Sequence, residues 1–325
     1  MMQPTDGTTP SVSVVMCTYN GARYLDEQMD SVLAQDYPLL EVIVQDDGSS
    51  DDTIDILHRY ARRDRRVHVF RNERRLGFNR NFHTAMLRAR GDLIAIADQD
   101  DIWFPQKVRR QVEAIGTCDL CFSAYFRDAT FSNHLSCKVC PAGRLEDLLF
   151  TNVIPGHTML VRRSFVGHET AWNDDFYYDW WFLLMAHMGG GVARVDEALN
   201  WHRPHEASAI ARLRQQRGGT QREAHASWHP YVFGWLDLAR LRHEKRWQQF
   251  YRSLLTIIPA EKQPVAHALC AALLGRGGGT LRLCCLCLRH RRLVYPSKGE
   301  PDWKNRLRAF CYPAIYAYGN TTFRK

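Results

Sequence analysis

The chain has 325 residues, 45% of them hydrophobic, and a formal net charge of +8. That length supports one large domain with a full core, or one domain with an appendage. No apolar run reaches the roughly 20 residues of a membrane span, and the polar start MMQPTDGTTP has no signal-peptide pattern, so a cytosolic protein is expected, with its ten cysteines as reduced thiols.

Residues 1–10 read as a frayed leader. SVSVVMCTYN (residues 11–20) is apolar and β-branched before it turns polar, the pattern of a buried strand ending near Tyr19-Asn20-Gly21. ARYLDEQMDSVLAQ sets Leu25, Met29, Val32 and Leu33 at helical spacing. LEVIVQDDGSS repeats the plan, a strand and then a turn, with Ser50 or Asp51 able to cap the next helix over Ile54, Ile56, Leu57 and Tyr60. RVHVFRNE is a third strand, NRNFHTAMLRARG a helix stopped by Gly91, and DLIAIA a fourth strand that runs into Asp98, Asp100 and Asp101. Alternating strands and helices imply a parallel sheet covered on both faces, with ligands bound beyond the carboxyl ends of the strands. Three polar clusters fall there: Thr18 to Asn20, Asp46 to Gly48, and Asp98 to Asp101.

Neither G-x-G-x-x-G after the first strand nor G-x-x-x-x-G-K-[ST] occurs, which argues against a dinucleotide-binding Rossmann domain and a P-loop NTPase. Three carboxylates in four residues repel one another unless a cation sits among them. Mg2+ or Mn2+, which takes oxygen ligands from carboxylate and phosphate alike, would join this acidic loop to a diphosphate.

SVVMCTYNGARYL, EVIVQDDGSSDDT, RLGFNRNFHTAM and ADQDDIW, in this order, resemble the family 2 glycosyltransferases of GT-A fold, over residues 11–205. The variants DQDDIW and YDWW are most similar to bacterial rhamnosyltransferase-type members, which build polysaccharide chains. The resemblance implies a GT-A-type, mostly parallel sheet flanked by helices, with residues 11–104 as a nucleotide-binding half and 105–205 as an acceptor half. It implies that Cys17, Thr18, Tyr19 and Asp47 contact the nucleotide base, with Arg80 assisting and Arg75 as the other candidate. It implies that Asp98 and Asp100 bind the nucleotide-sugar, and that Asp100 and Asp101 hold the metal. Without it, DDGSS is an ordinary capping turn and an arginine on a helix an ordinary solvated one.

Downstream, PQKVRRQVEAIG reads as a helix from Pro105 to Gly116, CDLCFSAYF as a strand, and HTMLVRR as another. By the resemblance, Asn152–Thr158 approaches the donor sugar, and Gly156 permits close backbone approach, whereas His157 reads as structural. Asp179 opens the helical run of NDDFYYDWWFLLMAHMGG between aromatic residues; a first-turn acid gains from the helix dipole, but by resemblance it is the general base of an inverting transfer. After a strand at Val192–Val195, His205 is expected in the metal site and Arg203 near phosphate. Cys118-x-x-Cys121 and Cys137-x-x-Cys140 have the spacing of a four-cysteine zinc site, but residues three apart in a strand face opposite sides, which weighs against one.

Residues 1–205 carry 22 Lys and Arg against 28 Asp and Glu, net −6, whereas residues 206–325 carry 21 against 7, net +14. The basic region mixes aromatic and basic residues at helical spacing, which predicts a mainly helical extension and peripheral attachment to an anionic membrane surface on the cytoplasmic side. The expected partners are therefore a nucleotide-sugar donor, a glycan or lipid-linked acceptor, and that surface. A nucleotidyltransferase of similar fold is the first rival, but the Gly- and Arg/Lys-rich loop it wants after the first strand is lacking. A non-catalytic nucleic-acid binder using the basic tail is the second; it leaves the acidic first 205 residues without a purpose, so no nucleic-acid partner is expected.

Overall fold

The computed structural model describes residues 9–132, 134–205, 228–276, 279–295, 301–318, 320 and 322–323. The chain forms two compact units, one reaching to Pro141 and resuming over Asn152–Pro204, the other comprising Ala142–Thr151 and the chain from His205 onward. The first unit ends at Pro204, His205 belongs to the second, and the ten residues Ala142–Thr151 also belong to the second.

In the first unit β1 (Val12–Thr18), β2 (Leu39–Asp46), β3 (Val67–Arg71) and β4 (Leu93–Ala97) alternate with α1 (Ala22–Leu33), α2 (Thr53–Arg63) and α3 (Phe78–Met86). The four strands pair parallel in the order β3-β2-β1-β4. Their runs are continuously apolar because both faces are covered; Val14, Met16, Val42, Val44, Leu93 and Ala95 pack with Leu25, Met29 and Leu57 of the helices. Beyond β4 the direction reverses: β8 (Met159–Arg162) pairs antiparallel with β4 and with β6 (Leu120–Phe126), β9 (Val192–Trp201) runs parallel to β6, and β5 (Ile102–Trp103) closes the edge antiparallel to β9. The small β7 (Lys138–Val139) pairs with β6. The sheet is thus parallel over its first four strands and mixed beyond them, where it is joined by α4 (Lys107–Ile115), α6 (Arg163–Val166) and α7 (Tyr178–Met188).

Some local expectations change. Helix α3 ends at Met86, so Gly91 is not its stop. A Cβ on Gly91 would lie 2.6 Å from the Ser13 amide nitrogen, so this glycine serves the close crossing of two backbones before β4. The N-cap position of α2 falls on Asp52, while Asp51 accepts from Thr53 N at 3.2 Å and Ala22 N at 3.1 Å, tying the start of α2 to the start of α1. Strand β9 extends through Trp201, and Ile102-Trp103 is a strand that the two-residue pattern did not announce.

The second unit is helical: α5 (Leu145–Leu148), α8 (His229–His243), α9 (Lys245–Ile257), α10 (Pro264–Leu273), α11 (Gly279–Arg289), α12 (Arg291–Val294) and α13 (Asp302–Ala317). Trp247, Phe250, Tyr251, Leu254, Leu269 and Leu273 are buried in it, and Tyr251 Oη donates to the Leu149 carbonyl at 2.6 Å. No helix among the described residues is long and apolar enough to cross a membrane.

Candidate active site

The ends of β1, β2 and β4 converge as the alternating pattern requires. Asp46 is buried and accepts from Thr18 Oγ1 at 3.0 Å and from the Ser49 and Gly48 amides at 2.9 and 3.1 Å. Asp47 faces the other way and accepts from Leu76 N (2.7 Å), Gly77 N (2.9 Å) and Asn72 Nδ2 (2.8 Å), which fastens the segment before α3 to the end of β2. Gly77 has φ +81°, a backbone conformation that favours glycine. The turn brings the Arg75 guanidinium 4.0 Å from the centre of the Tyr19 ring and 4.0 Å from Asp47. Cys17 lies beside both acidic ends: burial raises its thiol pKa well above the usual range, and Asp98 and then Asp47 add to the rise.

The four residues Asp98 to Asp101 point in different directions. Gln99 turns to the β1 loop, accepting from Tyr19 N at 2.9 Å and donating to Tyr19 O at 3.3 Å, and its side chain fills the space that a Cβ on Gly21 would need. Asp101 is fully buried. Its Oδ1 is 3.0 Å from His202 Nδ1 and accepts from Arg203 N at 3.2 Å, while Oδ2 lies 3.2 Å from His157 Nδ1. The two imidazoles stack 4.8 Å apart, nearly parallel. Burial holds His157 down to about 3, so it is neutral; His202 is raised, its hydrogen bond to Asp101 and the nearby carboxylates outweighing the effect of burial. Burial works against ionisation of Asp101, but the imidazoles and the Arg203 amide outweigh it and lower its pKa. Asp98 and Asp100 remain half-buried at the cleft, and Asp98 is pushed well above the carboxylate range, by burial first and then by Asp101 and Asp100. Beneath them Lys107 is fully buried, 5.0 Å from the centre of the Trp103 ring, and burial lowers it to about 7.

Asp179 occupies the first turn of α7 and is 9% exposed. It accepts from Trp180 N at 2.8 Å, from the Asn152 side chain and from Gly156 N, but burial dominates and raises it to about 6. A carboxyl poised there can take a proton near neutral pH. Gly156 opens the 3-10 turn Gly156–Thr158, and a Cβ on it would lie 2.1 Å from Tyr178 Oη. That hydroxyl is buried without a hydrogen-bond partner among the described residues; burial raises its pKa, and the charges of Asp98 and Asp179 add to the rise.

Of the residues expected from sequence, Cys17, Thr18, Tyr19, Asp47, Asp98 and Asp100 come together at the strand ends, with Gly156 and Asp179 beside them. Arg80 does not join them: it pairs with Asp174 at 2.9 Å on the surface, and Arg75 stands at Tyr19 in its stead. Arg203 is engaged with Glu27, with the Asp100 carbonyl at 2.9 Å, and over the Tyr24 and Trp201 rings. His205 opens the second stretch of the helical unit, and the one Asp/His group among the described residues with ligand atoms within 4.8 Å is Asp101, His157 and His202. His202 and Lys107 were missed. The pattern H-R-P-H offered two histidines without saying which turned inward, and a lysine in a helix reads as solvated. Cys121 is buried in β6, whereas Cys137 and Cys140 are exposed, and Cys140 Sγ lies 3.4 Å from Asp196.

Acidic ends of parallel strands, a sheet that turns mixed beyond β4, and the buried carboxyl of Asp179 make up the candidate site. Residues 13–166 match the family described as Glycosyl transferase family 2. A protein of Haemophilus influenzae described as an uncharacterized glycosyltransferase is 30% identical over 218 residues, 60% of this chain and 66% of that protein. TuaG of Bacillus subtilis, a candidate teichuronic acid biosynthesis glycosyltransferase, is 37% identical over 118 residues, 36% of this chain and 47% of that protein. The chain thus spans less than two thirds of either relative. The fold is similar to that of S. aureus TarS 1-349 in complex with UDP-GlcNAc (TM-score 0.55, 16% identity, 95% of this chain and 89% of that one). It is also similar to that of the mannosyltransferase PcManGT from Pyrobaculum calidifontis in complex with GDP-Man and Mn2+ (TM-score 0.54, 16% identity, 98% and 89%). The match to that family thus covers residues 13–166, on a fold similar to that of these two structures.

Proposed function

We propose that the protein is an inverting, divalent-metal-dependent glycosyltransferase that moves a sugar from a nucleotide-sugar to a glycan or lipid-linked acceptor in cell-surface polysaccharide synthesis. The observation that carries this reading is Asp179, a buried carboxyl raised to about 6 whose charge, like that of Asp98, is felt by Tyr178. The acceptor hydroxyl loses its proton to Asp179 as its oxygen attacks the anomeric carbon. The bond from that carbon to the diphosphate breaks, its electron pair stays on the phosphate oxygen, and the anomeric configuration inverts. Asn152 and Gly156 N orient the carboxylate through their hydrogen bonds. Tyr19, under the Arg75 guanidinium, gives a flat cationic-aromatic edge suited to a nucleobase, beside Asp47.

A divalent cation fits the acidic loop. Asp98 and Asp100 lie half-buried at the cleft, and burial and the neighbouring carboxylates raise Asp98 well above the usual carboxylate range, a cost that a bound cation would relieve. Behind them, Asp101 Oδ2 and His157 Nε2 are buried and accept or donate no hydrogen bond among the described residues. This oxygen and nitrogen donor set suits Mn2+ or Mg2+, which would neutralise charge on the departing diphosphate. Support comes also from the Mn2+ and GDP-Man named with PcManGT, the UDP-GlcNAc named with TarS, and the polymer named with TuaG. The similarity of DQDDIW and YDWW to rhamnosyltransferase-type members makes a rhamnose donor the first to try. The site of action is the cytoplasmic face of the membrane, where lipid-linked acceptors are held.

The test is a panel of nucleotide-sugars, each with Mn2+ and with Mg2+, read by thermal shift and by donor hydrolysis. One donor is expected to stabilise the protein and be hydrolysed only with metal. A panel in which no donor does either would refute the reading.

A further inference from the structure

We propose that the outward face of α8, with the basic side chains that continue it, is the surface on which the protein rests against an anionic lipid bilayer. This deepens the lipid-linked-acceptor reading, and rests on it only for its purpose. The two faces of α8 differ sharply. Pro230, Gly234, Asp237, Leu238 and Leu241 are buried, and Gly234 abuts α13 so closely that a Cβ would lie 2.1 Å from the Ala314 carbonyl oxygen. The opposite face carries Trp228, Val232, Phe233 and Leu236, spaced so that they form one stripe, yet they are 44–62% exposed. A helix normally turns its apolar stripe to the core; here a second one faces solvent.

The pattern extends over the unit. Of the twelve large hydrophobic residues exposed among the described residues, seven belong to the helical unit: these four, Leu281, and Trp303 and Leu307, one turn apart on α13. Basic groups lie beside them. Arg240 and His243 continue the exposed face of α8, Lys245 follows it, and Lys304 and Arg306 flank Leu307.

Charge selects the occupant. Residues 206–325 carry net +14, so a second copy would set like charges against one another. A bilayer rich in anionic headgroups supplies the opposite sign, and tryptophan favours the depth where headgroups meet acyl chains. Aliphatic and aromatic side chains would enter the interface while Arg and Lys reach phosphate.

The full chain would be mixed with phosphatidylglycerol-rich vesicles and with pure phosphatidylcholine vesicles, at low and high salt, and separated by flotation. The native protein is expected to float with the anionic vesicles at low salt, at least about tenfold more than with the zwitterionic ones, and to be released by salt. W228S/L236S should abolish flotation while leaving thermal stability and donor hydrolysis in solution unchanged. No flotation of the native protein, or undiminished flotation of the variant, would overturn the proposal, as would light scattering that shows a dimer which the variant splits. Loss of donor hydrolysis in every sample would instead count against the glycosyltransferase reading alone.

Discussion

Replacing Asp179 by Asn separates catalysis from stability. The native carboxyl is raised from its ordinary 3.8 to about 6 because burial disfavours the charged form. The folded state therefore holds a proton that the unfolded chain has already lost between those values. Stability from this group declines as pH rises from 3.8 to about 6, and stays lost above. About two pKa units at ~1.4 kcal/mol each set an upper bound of ~3 kcal/mol on the destabilisation at neutral pH. Asparagine is neutral and keeps the acceptor for Trp180 N, but its amide hydrogens would confront the Asn152 side chain and Gly156 N, offsetting ~1 kcal/mol for each bond lost. The expected net gain is on the order of 1 kcal/mol at pH 7 and above, turning into a loss of ~1–2 kcal/mol by about pH 4.

Thermal melts of both proteins across this range measure that difference. Transfer rates should move the opposite way. D179N should be slower by ~10²–10⁴-fold, while nucleotide affinity persists. The native rate should fall about tenfold per pH unit below about 6, a limb that D179N lacks. A variant that transfers sugar at close to the native rate would refute the base assignment. A variant less stable than native at neutral pH by as much as at pH 4 would refute the desolvation argument.

The neighbouring carboxylates should behave unlike each other. D101N leaves His202 and Arg203 N without their buried anion and should lower stability by ~3–5 kcal/mol, measured by denaturant melts. D100N should fold normally and lose the stabilisation that metal and nucleotide give together. G156A forces a Cβ to 2.1 Å from Tyr178 Oη and should cost ~1–3 kcal/mol with a fall in kcat; adding Y178F should restore part of the stability, because its hydroxyl has no partner to lose. R75A should weaken nucleotide binding by calorimetry, whereas R80A breaks only the exposed pair with Asp174, worth ~0–1 kcal/mol, and should leave it unchanged.

How much of this was legible follows from distance along the chain. The strand ends at Thr18, Asp47 and Ala97 could be read because each strand is short, apolar and closed by its own turn, and β1 pairs with β2 and β4 in the expected parallel sense. Asp179 was legible as a first-turn acid ahead of an apolar helix. Arg75 was not preferred over Arg80, because the choice depends on the turn at Gly77, where a positive φ sends the arginine back over Tyr19. The partner of Asp101 was hidden for a different reason. Ile102 pairs with Trp201 across β5 and β9, and this register sets Asp101 beside His202. A two-residue strand has too few side chains to announce itself, and nothing local links positions 101 residues apart.

That register also resolves the apparent conflict of three carboxylates in four residues. Were all three turned to one cleft, they would repel, and a single cation would have to answer for them. The chain divides them instead. Gln99 pins the loop to Tyr19, and Asp101 turns inward, where His202 Nδ1 and the Arg203 amide meet its Oδ1. Only Asp98 and Asp100 are left at the cleft, and burial and then the Asp101 and Asp100 carboxylates raise Asp98 well above the usual carboxylate range. A divalent cation would then bind with release of the Asp98 proton, and its apparent affinity should rise with pH. D101N, if it folds at all, should change metal affinity through the loop's position, whereas D98N should abolish the proton release and leave the loop where it is. Calorimetry of Mn2+ binding in two buffers of different ionisation enthalpy reads that proton directly, and metal binding without proton release in the native protein would refute the division of labour argued for these aspartates.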